Sequence, residues 1–310
     1  MKKILSIVIL AALCGTSRAV EYYWQGAVSG DLGNTNNYVL TGGTVKTNVL
    51  PQAADNLNIN TASVAVTNRI SSGTCFSKVT GGGTAGTAYL LGGTFTNGIY
   101  GTCCISNGVF TGVVYGFNSL ENGTFSNLVC GAAGKAIKGG TYYGSVTNLG
   151  PLSAGTFNGV VYNNGAITGG TFNNNVIGLG GGTSVSGGTF YGYYYNYMAN
   201  VSGTATFCGV VTNGYQISGG VFSNTVVNAN GGCNVSGGTF WGNVYYNGGA
   251  KVQGGTFKAG IIVTGTGQLL SGVFNGASGI TFLDGPEMRP LSRWPTPERG
   301  INGCAILGMP

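Results

Sequence analysis

The sequence predicts an all-β fold, a parallel β-solenoid of about twelve coils with 15–18 residues each. Three observations support this prediction. Glycine accounts for 61 of the 310 residues, whereas charged residues make up only 6%. A motif of the type Gly-Gly-Thr-Phe recurs at short intervals, and aliphatic residues recur with it at fixed offsets. With 43% apolar residues, the chain has enough side chain to bury, so the glycines indicate dense turns rather than disorder.

The first 19 residues have the pattern of a secretory signal peptide. Two lysines precede an apolar run from Ile4 to Cys14, which is too short to span a bilayer. Small residues at Ser17 and Ala19 predict cleavage after Ala19. A lipoprotein signal that uses Cys14 is the alternative. No later stretch has the length and apolarity of a transmembrane helix, so none is expected in the mature chain.

Residues 20–70 do not follow the repeat, and we predict that they cap the solenoid. The first coil would otherwise expose unpaired strand edges and apolar side chains. We expect one or two irregular coils within this segment. Its recognisable motifs are Trp24-Gln25-Gly26, Gly30-Asp31, Gly33-Asn34, Asn37-Tyr38, Pro51 and the run from Asp55 to Ile59.

Residues 71–283 carry the repeat, which is most regular in one aromatic column. An aliphatic residue stands five positions before nearly every aromatic, and another stands four positions after most of them. A coil of this size cannot bury its own apolar face, so like positions of successive coils should stack as interior ladders joined by parallel strands. The aromatic column consists of Phe95, Phe110, Phe125, Tyr142, Phe157, Phe172, Phe190, Phe207, Phe222, Phe240, Phe257 and Phe274.

The second residue after the aromatic is asparagine or glycine in nearly every coil. These two residue types tolerate positive φ, so the column predicts a corner. We therefore expect positive φ at Asn97, Asn127, Asn174 and Asn224. The glycine two residues before the aromatic predicts either a second bend or a close approach between backbones.

Residues 284–310 contain five of the seven prolines and cannot continue the stack. We predict an irregular tail for this segment. The alternatives for its role are a linker, a sorting tail or a poorly ordered end.

The segment from residue 24 to residue 59 resembles the start of bacterial autotransporter-type β-helical passenger modules. The similarity lies in the order Trp-x-Gly, Gly-Asp, Gly-Asn and Asn-aromatic, followed by Pro51 and Asp55–Ile59. The Asn-Val-Ser-Gly runs at Asn200 and Asn234 resemble repeats of self-associating adhesins of that class. The resemblance covers residues 20 to about 282 and implies a secreted or cell-surface solenoid. The C-terminal membrane barrel of that family is not expected in these residues.

The predicted function is structural or adhesive. Differences in coil length fall between the second aliphatic residue of one coil and the first of the next, so they should lie along one edge. A glycan, a surface protein or a second copy of the chain is the expected partner at this edge. Aromatic rings stack on sugars and on protein surfaces, whereas packing on neighbouring coils is the alternative role for them. The predicted ligand-binding residues are Tyr195, Tyr197, Tyr245 and Tyr246.

A β-helical enzyme that acts on acidic polysaccharides is the alternative function. Such sites need clustered carboxylates, often with calcium. Between Ile70 and Leu283 the only acidic residue is Glu121, and the chain contains no histidine. We therefore predict no catalytic residue, no cofactor and no metal site.

Two further binding classes are not favoured by the sequence. Lysine and arginine are few and unclustered, so no nucleic-acid partner is predicted. A threonine column precedes the aromatic column and could indicate ice binding. Val109, Val221 and Val273 interrupt it, and a second threonine column is missing.

Overall fold

The structure, a computed structural model, is a parallel β-solenoid whose coils stack along one axis. It describes residues 20–24, 31–40, 48–59, 69–75, 77–81, 88–101, 103–179, 184–197, 199–229, 232–246, 248–264, 267–275 and 279–283. Apart from one 3-10 turn at Thr35–Asn37, the regular elements among these residues are β-strands. The predicted signal peptide and the predicted tail lie outside the described residues.

Each regular coil contributes a short strand to each of three sheets, so the rod has three sides. The first side, named the aromatic sheet, has 13 strands that pair in parallel. Most of these strands are Thr-Phe or Val-Phe pairs, since β-branched and aromatic residues fit a pleated, half-buried surface. The strands are Thr74–Cys75, Thr94–Phe95, Val109–Phe110, Thr124–Phe125, Thr141–Tyr142, Thr156–Phe157, Thr171–Phe172, Thr189–Phe190, Thr206–Phe207, Val221–Phe222, Thr239–Phe240, Thr256–Phe257 and Val273–Phe274.

The second side, named the valine sheet, has 16 strands and follows the aromatic sheet in every regular coil. Half of its strands begin with a buried valine, and the next residue faces outward because side chains alternate along a strand. The strands are Glu21–Trp24, Tyr38–Leu40, Asn56–Ile59, Lys78–Gly81, Ile99–Gly101, Val114–Tyr115, Val129–Cys130, Val146–Asn148, Val161–Asn163, Val176–Gly178, Tyr194–Asn196, Val211–Asn213, Val226–Asn228, Val244–Tyr246, Ile261–Thr264 and Ile280–Leu283.

The third side, named the aliphatic sheet, contains the aliphatic column that precedes each aromatic. It has a five-stranded and a six-stranded part, which single bridges at Leu152 and Ile167 connect. The strands are Arg69–Ile70, Ala88–Leu90, Cys103–Ile105, Ser119–Leu120, Ala136–Ile137, Ser184–Val185, Asn200–Val201, Gln216–Ile217, Asn234–Val235, Lys251–Val252 and Gln268–Leu269.

A continuous stack of aromatic rings fills the interior beside the aromatic sheet. From Phe95 to Phe274, the centroids of adjacent rings are 4.5–5.2 Å apart, and their planes lie within 14° of parallel. Every ring before Phe274 is buried. The predicted interior column is therefore confirmed. One coil earlier, Cys75 pairs with Phe95 and occupies the same position.

The N-terminal segment adds strands to the valine sheet and covers its first edge. Glu21–Trp24 pairs in parallel with Asn56–Ile59, which pairs with the first regular coil. Tyr38–Leu40 then lies antiparallel on the outer edge. The buried rings of Trp24 and Tyr38 make an edge-to-face contact with centroids 5.2 Å apart. This packing shields the apolar interior at that end.

The predicted corner two residues after the aromatic is wrong for its glycines. Gly112, Gly144 and Gly159 have φ outside the left-handed region. A Cβ atom on Gly159 would overlap the carbonyl oxygen of Gly144, so glycine at this position permits the close stacking of the two coils. Positive φ occurs instead two residues before the aromatic, as at Gly155 with φ of 123°. At Asn174 the side-chain oxygen accepts a hydrogen bond from the next backbone N–H.

Buried asparagines occupy the third position of several valine-sheet strands. Asn196 donates its Nδ2–H to Oδ1 of Asn213 over 2.7 Å, and Asn213 donates to Asn228 over 2.8 Å. Asn148 and Asn163 form another such pair. These bonds link successive coils, and they satisfy most of the amide groups that would be costly to bury unpaired. Within the described residues, Nδ2 of Asn228 has no hydrogen-bond partner.

Candidate binding surfaces

The outer side of the valine sheet carries one column of residues in register from coil to coil, which we name the tyrosine face. From Tyr100 to Ile262, each member follows the aromatic of its own coil by five residues. The column contains no charged residue. Its members are Thr80, Tyr100, Tyr115, Cys130, Thr147, Tyr162, Ile177, Tyr195, Thr212, Val227, Tyr245, Ile262 and Thr281.

The tyrosine rings of this face are accessible to a partner. Tyr115, Tyr162 and Tyr245 are exposed, and the other tyrosines of the column are half-buried. The rings of Tyr100 and Tyr115 stack with centroids 5.9 Å apart and planes 2° from parallel. Aliphatic and β-branched side chains lie between the remaining tyrosines. The result is a flat column without charged members, and its chemistry stacks on sugar rings or on apolar protein surfaces. At one end of the column, Nζ of Lys78 lies 4.6 Å from the centroid of the Tyr100 ring.

A short row of tyrosines crosses this face at the middle of the rod. Tyr193, Tyr195 and Tyr197 have successive ring centroids 6.4 and 6.3 Å apart. The hydroxyl group of Tyr193 forms a hydrogen bond with the Thr212 hydroxyl in the next coil. The row and the column meet at Tyr195, so aromatic surface extends both across and along the rod there.

Tyr246 is the one predicted ligand-binding residue that lies inside the rod. Val244–Tyr246 alternates inward, outward, inward, so Tyr246 occupies the interior asparagine column beside Asn228. It is 1% exposed, and burial raises the pKa of its hydroxyl group. A partner could not reach it without unfolding the coil, so its assignment to the binding surface is corrected. The other three predicted residues lie at the surface: Tyr195, Tyr197 and Tyr245.

The predicted location of the binding surface also changes. Tyr195 and Tyr245 belong to valine-sheet strands, so they lie on a flat face rather than in insertion loops. The predicted loops include residues 180–183, 198, 230–231 and 247, which lie outside the described residues. The constant five-residue offset from the aromatic was visible in the sequence. It could have identified the complete column, including Tyr115 and Tyr162.

Carboxylates in the described part of the chain take part in local structure. Glu121 forms a surface ion pair with Lys138 at 3.0 Å. Asp55 accepts two backbone N–H bonds within the N-terminal segment, and Glu21 binds two asparagine amides there. Within the same described residues, no three His, Cys, Asp or Glu side chains are grouped so as to hold a metal ion.

Among the described residues, Cys75, Cys103, Cys104, Cys130 and Cys208 are free thiols. Cys75, Cys103 and Cys233 are buried, whereas Cys104 and Cys130 are half-buried. Burial raises the pKa of Cys103 to about 12, with a smaller contribution from the adjacent Cys104. A thiol in this state is a small apolar core residue rather than a nucleophile.

A second candidate surface, named the threonine groove, is an open depression on the outer side of the aromatic sheet. This groove has a volume of about 630 Å³, and glycine, alanine, threonine and one asparagine line it. Thr141, Thr156, Thr171, Thr189 and Thr206 are among its lining residues. They are direct neighbours in successive strands, so their hydroxyl groups repeat once per coil.

Comparison with known proteins gives no match to any protein-family model, curated protein or solved structure. In the described residues, no helix combines the length and the apolar character needed to cross a membrane.

Proposed function

We propose that this protein is a secreted or cell-surface repeat protein that has an adhesive or structural role. It binds a glycan or a surface protein through the tyrosine face. The observation that carries the proposal is the in-register outward column from Tyr100 to Tyr245, which contains five accessible tyrosines and no charged member.

Because the tyrosines repeat along the rod, this face can contact one partner at several points. Strands in the sheet are about 4.8 Å apart, so Tyr162 and Tyr195 are separated by two spacings, or about 10 Å. Each aromatic contact contributes about 0.5–1.5 kcal/mol beyond the burial of its area. A partner with its own repeat can form several such contacts at once, and linked weak contacts add to a higher total affinity.

The predicted signal peptide and the resemblance to autotransporter-type passengers support the proposed location. A neutral face also favours contact with uncharged surface groups over long-range attraction to charged polymers. Self-association through the same face is compatible with this chemistry, because two flat aromatic columns can stack on each other.

Adhesion assays with matched aromatic variants test the proposal. The mature protein would be applied to a glycan array and to a cell-aggregation assay. The variant Tyr162→Ser/Tyr195→Ser/Tyr245→Ser should lose cell aggregation while its β circular-dichroism spectrum stays unchanged. The control variant Tyr143→Ser/Tyr191→Ser/Trp241→Ser removes aromatics of similar or greater exposure outside this column. Loss of binding in the control alone would move the binding site away from the tyrosine face.

A further inference from the structure

The threonine groove has hydrogen-bonding capacity that the fold does not use. The hydroxyl groups of Thr141, Thr156, Thr171, Thr189 and Thr206 form no hydrogen bond within the described residues. Their backbone N–H groups, in contrast, are bonded to carbonyl oxygens of the preceding coil. One free hydroxyl group per coil therefore faces the groove.

The fold itself does not require threonine in this column. Val109, Val221 and Val273 occupy the same column in other coils and pair with their neighbours in the same register. Valine and threonine are both β-branched and fit strands equally well. Between Val109 and Val221, however, every member is threonine, from Thr124 to Thr206. The groove coincides with this uninterrupted run.

The groove beside the threonines exists because the neighbouring residues have small side chains or none. The two residues before each threonine are small, as in Gly139–Gly140 and Gly187–Gly188. A Cβ atom on Gly139 would overlap the carbonyl oxygen of Glu121, so the stacking of coils explains this glycine. The stacking does not explain the free hydroxyl groups that stand next to the depression.

The dimensions of the groove correspond to one extended polymer chain. It runs from the coil of Asn122 to the coil of Thr206, roughly five strand spacings or about 24 Å. A depression of this length can hold several successive units of one extended chain that lies along the rod.

We propose that the threonine groove is a second binding site, separate from the tyrosine face, for one extended strand of a neutral polysaccharide. Sugar hydroxyl groups donate and accept hydrogen bonds, and so do threonine hydroxyl groups. The lining contains no charged residue, so the groove offers no ion pair to a charged polymer. A pyranose ring in an extended chain is similar in length to one strand spacing, which allows successive rings to meet successive coils.

Isothermal titration calorimetry of the mature protein with neutral oligosaccharides tests this site. The probes are hexasaccharides and disaccharides of β-1,4-linked glucose, β-1,4-linked N-acetylglucosamine and β-1,4-linked mannose. At least one hexasaccharide should bind at least tenfold more tightly than its disaccharide, because it spans more coils. Absence of binding by all three hexasaccharides would overturn the proposal, as would equal affinity of hexasaccharide and disaccharide.

Valine substitutions remove the hydroxyl groups without changing the shape of the column. The variant Thr156→Val/Thr171→Val/Thr189→Val should bind at least about tenfold more weakly, because three hydrogen bonds are lost. The control variant Thr239→Val/Thr256→Val changes the same column outside the groove and should bind as the unmodified protein does. Equal binding by both variants would place the sugar elsewhere and overturn the site.

Two further readouts separate this proposal from others. The tyrosine-face variant should retain groove binding, so failure of the proposed adhesive function and failure of the groove site can be told apart. Thermal hysteresis in an ice-growth assay, without oligosaccharide binding, would assign the hydroxyl ladder to ice and overturn the polysaccharide site.

Discussion

Replacing Phe157 with alanine should cost about 3–5 kcal/mol of the free energy of unfolding, the usual range for a buried phenylalanine. Phe157 is fully buried between the rings of Tyr142 and Phe172, whose centroids lie 4.7 and 4.9 Å away. Strand pairing holds both neighbours at a fixed spacing, so the stack cannot collapse into the cavity. We therefore expect a value near the upper end of the range.

Two further substitutions in the same column calibrate this value. Phe157→Tyr should change stability by less than about 1 kcal/mol, because Tyr142 is buried in the same column. The Tyr142 hydroxyl group donates to the carbonyl oxygen of Gly139 over 2.6 Å, and a tyrosine at 157 has an equivalent carbonyl at Ala154. Phe274→Ala should cost less than Phe157→Ala, since Phe274 is half-buried and stacks on one described ring.

Urea unfolding followed by far-ultraviolet circular dichroism measures these differences. Repeat arrays can lose cooperativity, so hydrogen exchange of the amides around residue 157 should accompany the titration. The amides of the neighbouring coils should exchange faster in Phe157→Ala. If Phe157→Ala and Phe274→Ala had equal effects below about 1 kcal/mol, the aromatic stack would not be the stabilising core.

The remaining predictions concern the asparagine column, the close stacking of coils and a buried tyrosine, and urea midpoints check each of them. Asn213→Ala removes the buried hydrogen bonds to Asn196 and Asn228 and should cost about 1–3 kcal/mol, whereas the exposed Asn173→Ala should change stability by less than about 0.5 kcal/mol. Equal effects of the two substitutions would contradict a stabilising role of the buried asparagine hydrogen bonds. Gly159→Ala should destabilise by about 1–3 kcal/mol because its Cβ overlaps the preceding coil, and Gly232→Ala, with open space around it, should be close to neutral. Burial raises the pKa of Tyr194, so the native state retains a proton that the unfolded chain loses above about pH 10. The stabilisation from this hydroxyl group should therefore be fully present below that pH, and the free energy of unfolding should fall as the pH rises further. Tyr194→Phe should reduce the slope of that decrease, and an unchanged slope would contradict the burial of the hydroxyl group.

The sequence was sufficient to predict the parallel stack, because each coil repeats the same interior contacts. Phe110 and Phe125 reveal their shared column through their equal distance from the flanking aliphatic residues. An aromatic ladder tolerates only small shifts of register, so the spacing in the sequence corresponds to the stacking in space.

Glycine was harder to interpret, since two different physical requirements select it. Gly155 is needed for its positive φ, whereas Gly159 is needed because the preceding coil leaves no room for a Cβ atom. Both requirements place glycine at a fixed offset from the aromatic. The sequence alone predicted positive φ for the glycines after the aromatic, where it does not occur, and left the glycine before the aromatic open between a bend and a close approach.

The candidate surfaces depend on side-chain directions, which follow from alternation only where the strand is recognised. Alternation from the interior Val244 separates the exposed Tyr245 from the buried Tyr246, but both tyrosines were predicted to lie in an insertion loop. The threonine groove could not be predicted at all from local pattern. It arises from the positions of missing side chains in adjacent coils, which become visible only when the coils are stacked.

Hydroxyl-radical footprinting of the protein bound to the cells that it aggregates would test the central claim most directly. The rings of Tyr162, Tyr195 and Tyr245 should become protected from oxidation on binding, while those of Tyr143 and Tyr191 keep the oxidation rates of the free protein. Protection of Tyr143 and Tyr191, with unchanged oxidation of the tyrosine face, would contradict the account.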